Sequence, residues 1–89
     1  MKAVITVTGK DSVGIIAKVA TECSLYKANI IDISQSVLSE YFAMIMLVDI
    51  HGLTLDFSDF SDKLTALGKG SGLDVHVMHE DIFNSMHNI

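Results

Sequence analysis

The chain has 89 residues and a formal net charge of −5 at pH 7, with six lysines and no arginine. The lysines are scattered, which argues against direct nucleic-acid binding and against anionic membranes, because both need a basic patch. With 49% hydrophobic residues and no proline or tryptophan, the composition is that of one folded domain, residues 1–89, rather than of a disordered segment.

The first half of the chain alternates between strand and helix patterns. Residues 2–8 have the strand period of two, and helical spacing of apolar residues follows from Val13 to about Lys27, with Asp11 or Ser12 available as N-cap. Residues 30–38 alternate again and predict a second strand. One face of it would carry apolar residues and the other polar residues, namely Ile31, Ile33 and Val37 against Asp32, Ser34 and Ser36.

The second half repeats this order. After a turn near Ser39–Glu40, residues 41–50 are apolar on both faces, which indicates that something covers each side of this strand. A helix is predicted from about Asp56, closed by the glycines at 68, 70 and 72, and residues 73–78 alternate as a fourth strand. Glu80 and Asp81 then open a short final helix.

The order strand, helix, strand, strand, helix, strand predicts an α+β, ferredoxin-like βαββαβ sandwich. Its four-stranded antiparallel sheet would have strands one and three in the centre and two helices on one face, with the short C-terminal helix added. The other face would be bare and partly apolar, which favours an oligomer.

The junction Gly9-Lys-Asp-Ser-Val-Gly14 is a candidate ligand site. The first N–H groups of a helix have no partner within it and the helix dipole is positive there, so a carboxylate or phosphate can dock. The alternative is a well-made turn between a strand and a helix.

A second polar group, Asn29-Ile-Ile-Asp32, stands where the next strand begins. The Asn29 amide would orient a ligand and the Asp32 carboxylate would accept its ammonium group. The alternative is that Asn29 caps a turn and Asp32 is solvated.

Metal, cofactor and catalytic sites are not predicted. His76 and His79 are three residues apart in a strand and would point to opposite faces, and no zinc-finger pattern accompanies them. Cys23, the only cysteine, falls on the apolar side of the first helix with no base nearby in the pattern. The longest apolar run, residues 41–48, is far shorter than the ~20 residues of a membrane span. We therefore expect a non-catalytic cytoplasmic protein.

The order of elements, together with Gly9-Lys-Asp-Ser-Val-Gly-Ile-Ile-Ala17, Asn29-Ile-Ile-Asp-Ile-Ser-Gln35 and Phe42-Ala-Met44, resembles the ACT domain over essentially the whole chain. The match is to its small stand-alone bacterial form, and the chain is also similar to the ACT portions of formyltetrahydrofolate deformylase and of the glycine cleavage system repressor. The resemblance implies a regulatory module that binds amino acids or other small molecules, commonly at an interface between two domains.

The resemblance also assigns roles to residues. It places the helix-start loop against the α-carboxylate of a ligand and the second polar group, from the same or a neighbouring subunit, against its amino group and side chain. The residues of the loop are Asp11, Ser12, Val13, Gly14 and Ile15, and those of the second group are Asn29, Ile30 and Asp32.

Two interpretations of function follow. In the first, the chain is a homodimeric sensor that binds an amino acid at the subunit interface and acts on a separate enzyme or regulator. In the second, it is a protein-interaction module that has lost ligand binding.

Overall fold

The computed structural model describes residues 1–10 and 14–86. It contains four strands and three helices in the predicted order. They are β1 (Lys2–Gly9), α1 (Ile15–Leu25), β2 (Asn29–Leu38), β3 (Tyr41–Asp49), α2 (Phe57–Gly70), β4 (Asp74–His79) and α3 (Glu80–Met86).

The four strands form one antiparallel sheet in the order β2-β3-β1-β4. This confirms the ferredoxin-like βαββαβ prediction, with β1 and β3 in the centre and a short helix after β4. Both edges of the sheet are strands that pair on one side only, and β2 is the longer of the two at 10 residues.

The core lies between one face of the sheet and the helices α1 and α2. Alternate residues of β1 point into it and are fully buried, as the period of two predicts: Ala3, Ile5 and Val7. The helices contribute one residue per turn, with Val19 and Cys23 from α1 and Phe60 and Leu64 from α2, all at 0% exposure. We call the face of the sheet that α1 and α2 cover the helix face, and the opposite face the second face.

The start of α1 differs from the sequence prediction. Gly14, with φ 74° and ψ −4°, is the N-cap residue, so the prediction of Asp11 or Ser12 as N-cap was wrong. The left-handed conformation, which glycine adopts without strain, sets the chain direction into the helix at this point. Asp11, Ser12 and Val13 lie outside the described residues.

The end of α1 comes at Leu25, two residues before the predicted Lys27. Lys27 itself has φ 65°, which is incompatible with continuing a right-handed helix. The N–H groups of Tyr26, Lys27 and Ala28 donate to carbonyls of the last helical turn and close it.

A β-bulge interrupts β2 near its start. The register with β3 shifts between Ile30 and Asp32, so Ile31 is an extra residue in the ladder. After it, Ile33 and Val37 lie on the helix face opposite Met46 and Phe42. The predicted separation of Ile33 and Val37 from Asp32, Ser34 and Ser36 holds, whereas Ile31 lies at the bulge and has no partner in the ladder.

The second face carries apolar side chains from β3 beside polar ones from β2, as predicted. Tyr41 is 52% and Ile45 46% exposed on this face, opposite Leu38 and Ser34 of β2. No helix among the described residues has the length and apolar character needed to span a bilayer.

Candidate ligand-binding site

The helix α1 begins after its N-cap residue, Gly14, without a side-chain cap among the described residues. Lys18 donates the first helical hydrogen bond, to the Gly14 carbonyl at 3.0 Å, and Gly14 has no side chain that could accept from the N–H groups of the first turn. A Cβ added at Gly14 would have no atom of the described residues within 4 Å. The N–H groups of residues 15–17 have no acceptor within the helix, as at the start of any α-helix.

The strand that leads into this loop ends in a crowded position. A Cβ added at Gly9 would overlap the side chain of Leu73, which is 3% exposed. Immediately after it, the Lys10 ammonium lies 5.8 Å from the centre of the Tyr41 ring, within the range of a cation–π contact. The described part of the loop therefore carries a positive charge on the side of the second face.

The second predicted group lies at the start of β2. Asn29 and Asp32 are exposed, and Ile30 is half-buried against the core. Asp32 Oδ1 accepts a hydrogen bond from the Ile33 N–H at 2.9 Å, which fixes the carboxylate beside the bulge. Asp32 pairs with Leu47 and so lies on the second face.

The two groups lie at opposite ends of the sheet. Gly9 pairs with Phe42, whereas Asn29 pairs with Asp49, which in turn pairs with Lys2. Seven residues separate Gly9 from Lys2 along β1, which is about 23 Å at the rise of an extended strand. Within one chain, the helix start and the Asn29–Asp32 group do not meet.

The sequence did not single out a depression on the second face, beside the loop. It has a volume of about 330 Å³ and is almost entirely apolar. The side chains that line it come from three neighbouring strands: Thr8, Ser36, Leu38, Tyr41 and Ala43. The apolar character of β3 on both faces was the only sequence signal for it.

The described residues give little support to metal binding or to catalysis by Cys23. Within residues 1–10 and 14–86, no three histidine, cysteine or acidic side chains lie close enough together to hold a metal ion. Cys23 is 0% exposed, and its burial, with a smaller effect of the negative charge of Glu22, raises the pKa of the thiol to about 11. At neutral pH the thiol is protonated and a poor nucleophile.

Comparison with known proteins decides the family. A model of the ACT domain matches residues 2–78. The chain belongs to the ACT domain family. The members of this family are generally regulatory modules that bind ligands, and the resemblance predicted from the sequence is confirmed.

Small proteins of similar length share this ACT domain from end to end. A UPF0237 protein of Clostridium perfringens is 48% identical and one of Listeria innocua 40% identical, each over 89 residues and the whole of both chains. A UPF0237 protein of the archaeon Methanosarcina acetivorans is 43% identical over 97% of this chain and 94% of its own.

Solved structures show the same ACT fold. An ACT domain protein from Streptococcus pneumoniae has a TM-score of 0.81 at 38% identity, over 98% of each chain. A chain described as a glycine cleavage system transcriptional repressor has a TM-score of 0.70 at 25% identity, covering 85% of this chain and 43% of its own. A formyltetrahydrofolate deformylase from Pseudomonas syringae shares the fold alone, with a TM-score of 0.76 at 23% identity over 27% of its length.

Proposed function

We propose that this ACT domain is a non-catalytic regulatory module that binds an amino acid between two copies of the chain. The observation that carries the proposal is the placement of the two polar groups. Asn29 and Asp32 are exposed, and Asn29 lies about 23 Å from the level of Gly9 along the strands of one chain. Two copies whose strands run in opposite directions bring the helix start of one to the Asn29–Asp32 group of the other.

The chemistry of each group suits one end of a zwitterion. The α-carboxylate would accept hydrogen bonds from the N–H groups at the start of α1, beside Gly14 and Ile15, where the helix dipole favours negative charge. The ammonium group would bind Asp32 of the second copy, with the Asn29 amide beside it. Asp11, Ser12 and Val13 complete the loop in this proposal, and Ile30 contributes apolar surface for a ligand side chain.

The electrostatics favour a ligand with no net charge. The chain carries a formal charge of −5, so a dimer repels an anionic ligand at long range. A zwitterion experiences no such net repulsion, while each of its ends finds a local partner of opposite sign.

Regulation would follow from a shift in populations. A ligand that contacts both copies binds the dimer more tightly than the monomer, and this difference in affinity shifts the equilibrium toward the dimer or toward one dimer geometry. A separate enzyme or regulator that recognises this state would receive the signal.

A second candidate function rests on the exposed apolar residues of the second face. Leu38 is 77% and Tyr41 52% exposed, which suits a protein-interaction module that has lost ligand binding. This candidate predicts self-association that no amino acid changes.

Thermal unfolding distinguishes the two functions. The purified protein is heated with each common amino acid at millimolar concentration, glycine first because of the similarity to the glycine cleavage repressor, while its mass in solution is recorded. A ligand at about 100 times its dissociation constant adds about 2.7 kcal/mol of stability, which raises the melting temperature by several degrees. One selective stabiliser and a dimer mass support the sensor. A dimer that no amino acid stabilises supports the interaction module.

A further inference from the structure

Among the described residues, the C-terminal helix α3 leaves two of its apolar side chains exposed. It has seven residues, none of which is buried. Ile82 is 53% and Met86 66% exposed. A helix this short is marginal in water unless its apolar side chains are packed against another surface. The exposed apolar residues of α3 therefore indicate that another molecule packs against this helix.

The depression on the second face offers such a surface. Leu38 and Tyr41 leave its rim apolar, and its volume of about 330 Å³ is sufficient for a large aliphatic side chain. It lies at the end of the sheet where Thr8 pairs with Ala43. α3 begins at the other end, directly after His79, which pairs with Ala3. One chain thus carries an apolar helix at one end and an apolar depression at the opposite end.

The charges at these two places are complementary. The first turn of α3 carries Glu80 and Asp81. At the depression, the exposed Lys10 holds its ammonium 5.8 Å from the Tyr41 ring. An acidic helix start that approaches this end of another copy would meet a positive charge, although each chain as a whole is negative.

We propose that α3 of one copy docks into the second-face depression of another copy, and that the second copy does the same in return. A two-fold axis makes the two contacts identical and closes the assembly at a dimer. The strands of the two sheets run in opposite directions across this interface. This proposal rests on the self-association in the proposed function and assigns one surface to it. Because α1 packs on the opposite face of the sheet, this contact does not itself form the ligand site.

The exposed apolar surface is more than half of what one partner of a standard interface buries. Five exposed apolar side chains would be covered in each copy, namely Leu38, Tyr41, Ile45, Ile82 and Met86. Together they expose roughly 500 Å² per copy, against the ~800 Å² per partner of a standard interface. The small and hydroxyl side chains between them, such as Ala43 and Ser36, carry no charge.

The first test removes the apolar contact from α3. Ile82→Lys and Met86→Lys are compared with Leu25→Lys, a control at an equally exposed position on α1, where Leu25 is 61% exposed on the helix side of the sheet. Sedimentation over a range of concentrations gives the dimer dissociation constant of each variant. We expect an increase of about tenfold or more for the two α3 variants and none for the control. Far-UV circular dichroism checks that each variant is folded.

The second test reverses charges and does not depend on an apolar substitution. Asp81→Lys and Lys10→Glu should each weaken the dimer, and the double variant should recover much of the loss, because it exchanges the two signs across the interface. Recovery is expected only where the two side chains approach each other between copies.

The possible outcomes distinguish the α3 contact from the shared ligand site of the proposed function. A wild-type protein that is monomeric at every concentration overturns both the dimer surface and the shared ligand site. A wild-type dimer that Val37→Lys dissociates and Ile82→Lys does not would overturn the α3 contact and place the interface on the β2 edge. A monomeric Ile82→Lys that an amino acid still stabilises supports the α3 contact and contradicts a ligand site shared between copies.

Discussion

The side chain of Leu73 fills the space beside Gly9 in which a Cβ would have to lie. Gly9 is the last residue of β1, and Leu73 precedes β4, where its N–H donates to the Gly68 carbonyl at 2.8 Å. The buried leucine therefore holds the end of β1 close to the turn after α2. The loop that leads to α1 therefore begins at a residue, Gly9, whose position is set by packing against the core.

Gly9→Ala should destabilise the protein by about 1–3 kcal/mol, because the buried Leu73 side chain must move to admit the methyl group. Gly70→Ala is the matched control, since a Cβ added at the end of α2 has nothing within 4 Å. Alanine is the better helix former by up to about 1 kcal/mol, so this control should be neutral or stabilising. Urea unfolding of both variants measures the difference, and equal effects would contradict the contact with Leu73.

Gly14 gives a second prediction, with a different physical cause. An added methyl group meets no atom within 4 Å there, but φ is 74°. Gly14→Ala should therefore cost about 1–2 kcal/mol through backbone strain alone. Gly14→Asn should cost less, because asparagine adopts the left-handed region more readily. Denaturant unfolding of the two variants compares them, and a larger loss for asparagine would indicate a steric cause instead.

Asp32 tests the proposed ammonium site. Asp32→Asn keeps an oxygen that can accept from the Ile33 N–H but removes the charge, so folding stability should change little. Loss of a charge-assisted hydrogen bond should raise the dissociation constant of an amino-acid ligand about tenfold to a hundredfold. Isothermal titration measures it, with Asp62→Asn, an exposed change on α2, as the control. Unchanged affinity would remove Asp32 from the site.

Much of the fold was predictable because the buried residues of a strand or a helix recur in the sequence with the period of that element. The fully buried Ala3, Ile5 and Val7 alternate, and Val19 and Cys23 recur at helical spacing, so element types and sheet order followed from the pattern. The opposite placement of the Gly14 and Asp32 groups also follows from topology, because β1 and α1 run in opposite directions and β2 begins where α1 has ended.

Local backbone features and packing were less accessible to sequence patterns. Asp11 and Ser12 fit the usual N-cap preference, yet the left-handed conformation of Gly14 sets the helix start. The bulge at Ile31 leaves no mark in a period-two pattern. The depression beside Tyr41 depends on how three strands place their side chains together, which no single segment encodes.

Cys23 predicts a loss of stability at alkaline pH. Burial is the main cause that raises the pKa of its thiol from 9.0 to about 11 in the folded chain. Between these two pH values the unfolded chain releases the thiol proton and the folded chain retains it, so the unfolded state binds fewer protons and the free energy of unfolding falls as the pH rises. Below pH 9 the contribution is complete, and across the window about 2–3 kcal/mol should be lost.

Cys23→Ala isolates this contribution, because every other titratable side chain is present in both proteins. Urea unfolding at pH 8, 9, 10 and 11, with a reductant present, gives the difference in stability between wild type and variant. The variant should be less stable at pH 8, since it loses the packing of a fully buried sulfur, and the two should converge or cross as the pH approaches 11. Parallel curves would show that the folded chain ionises Cys23 as readily as the unfolded chain does.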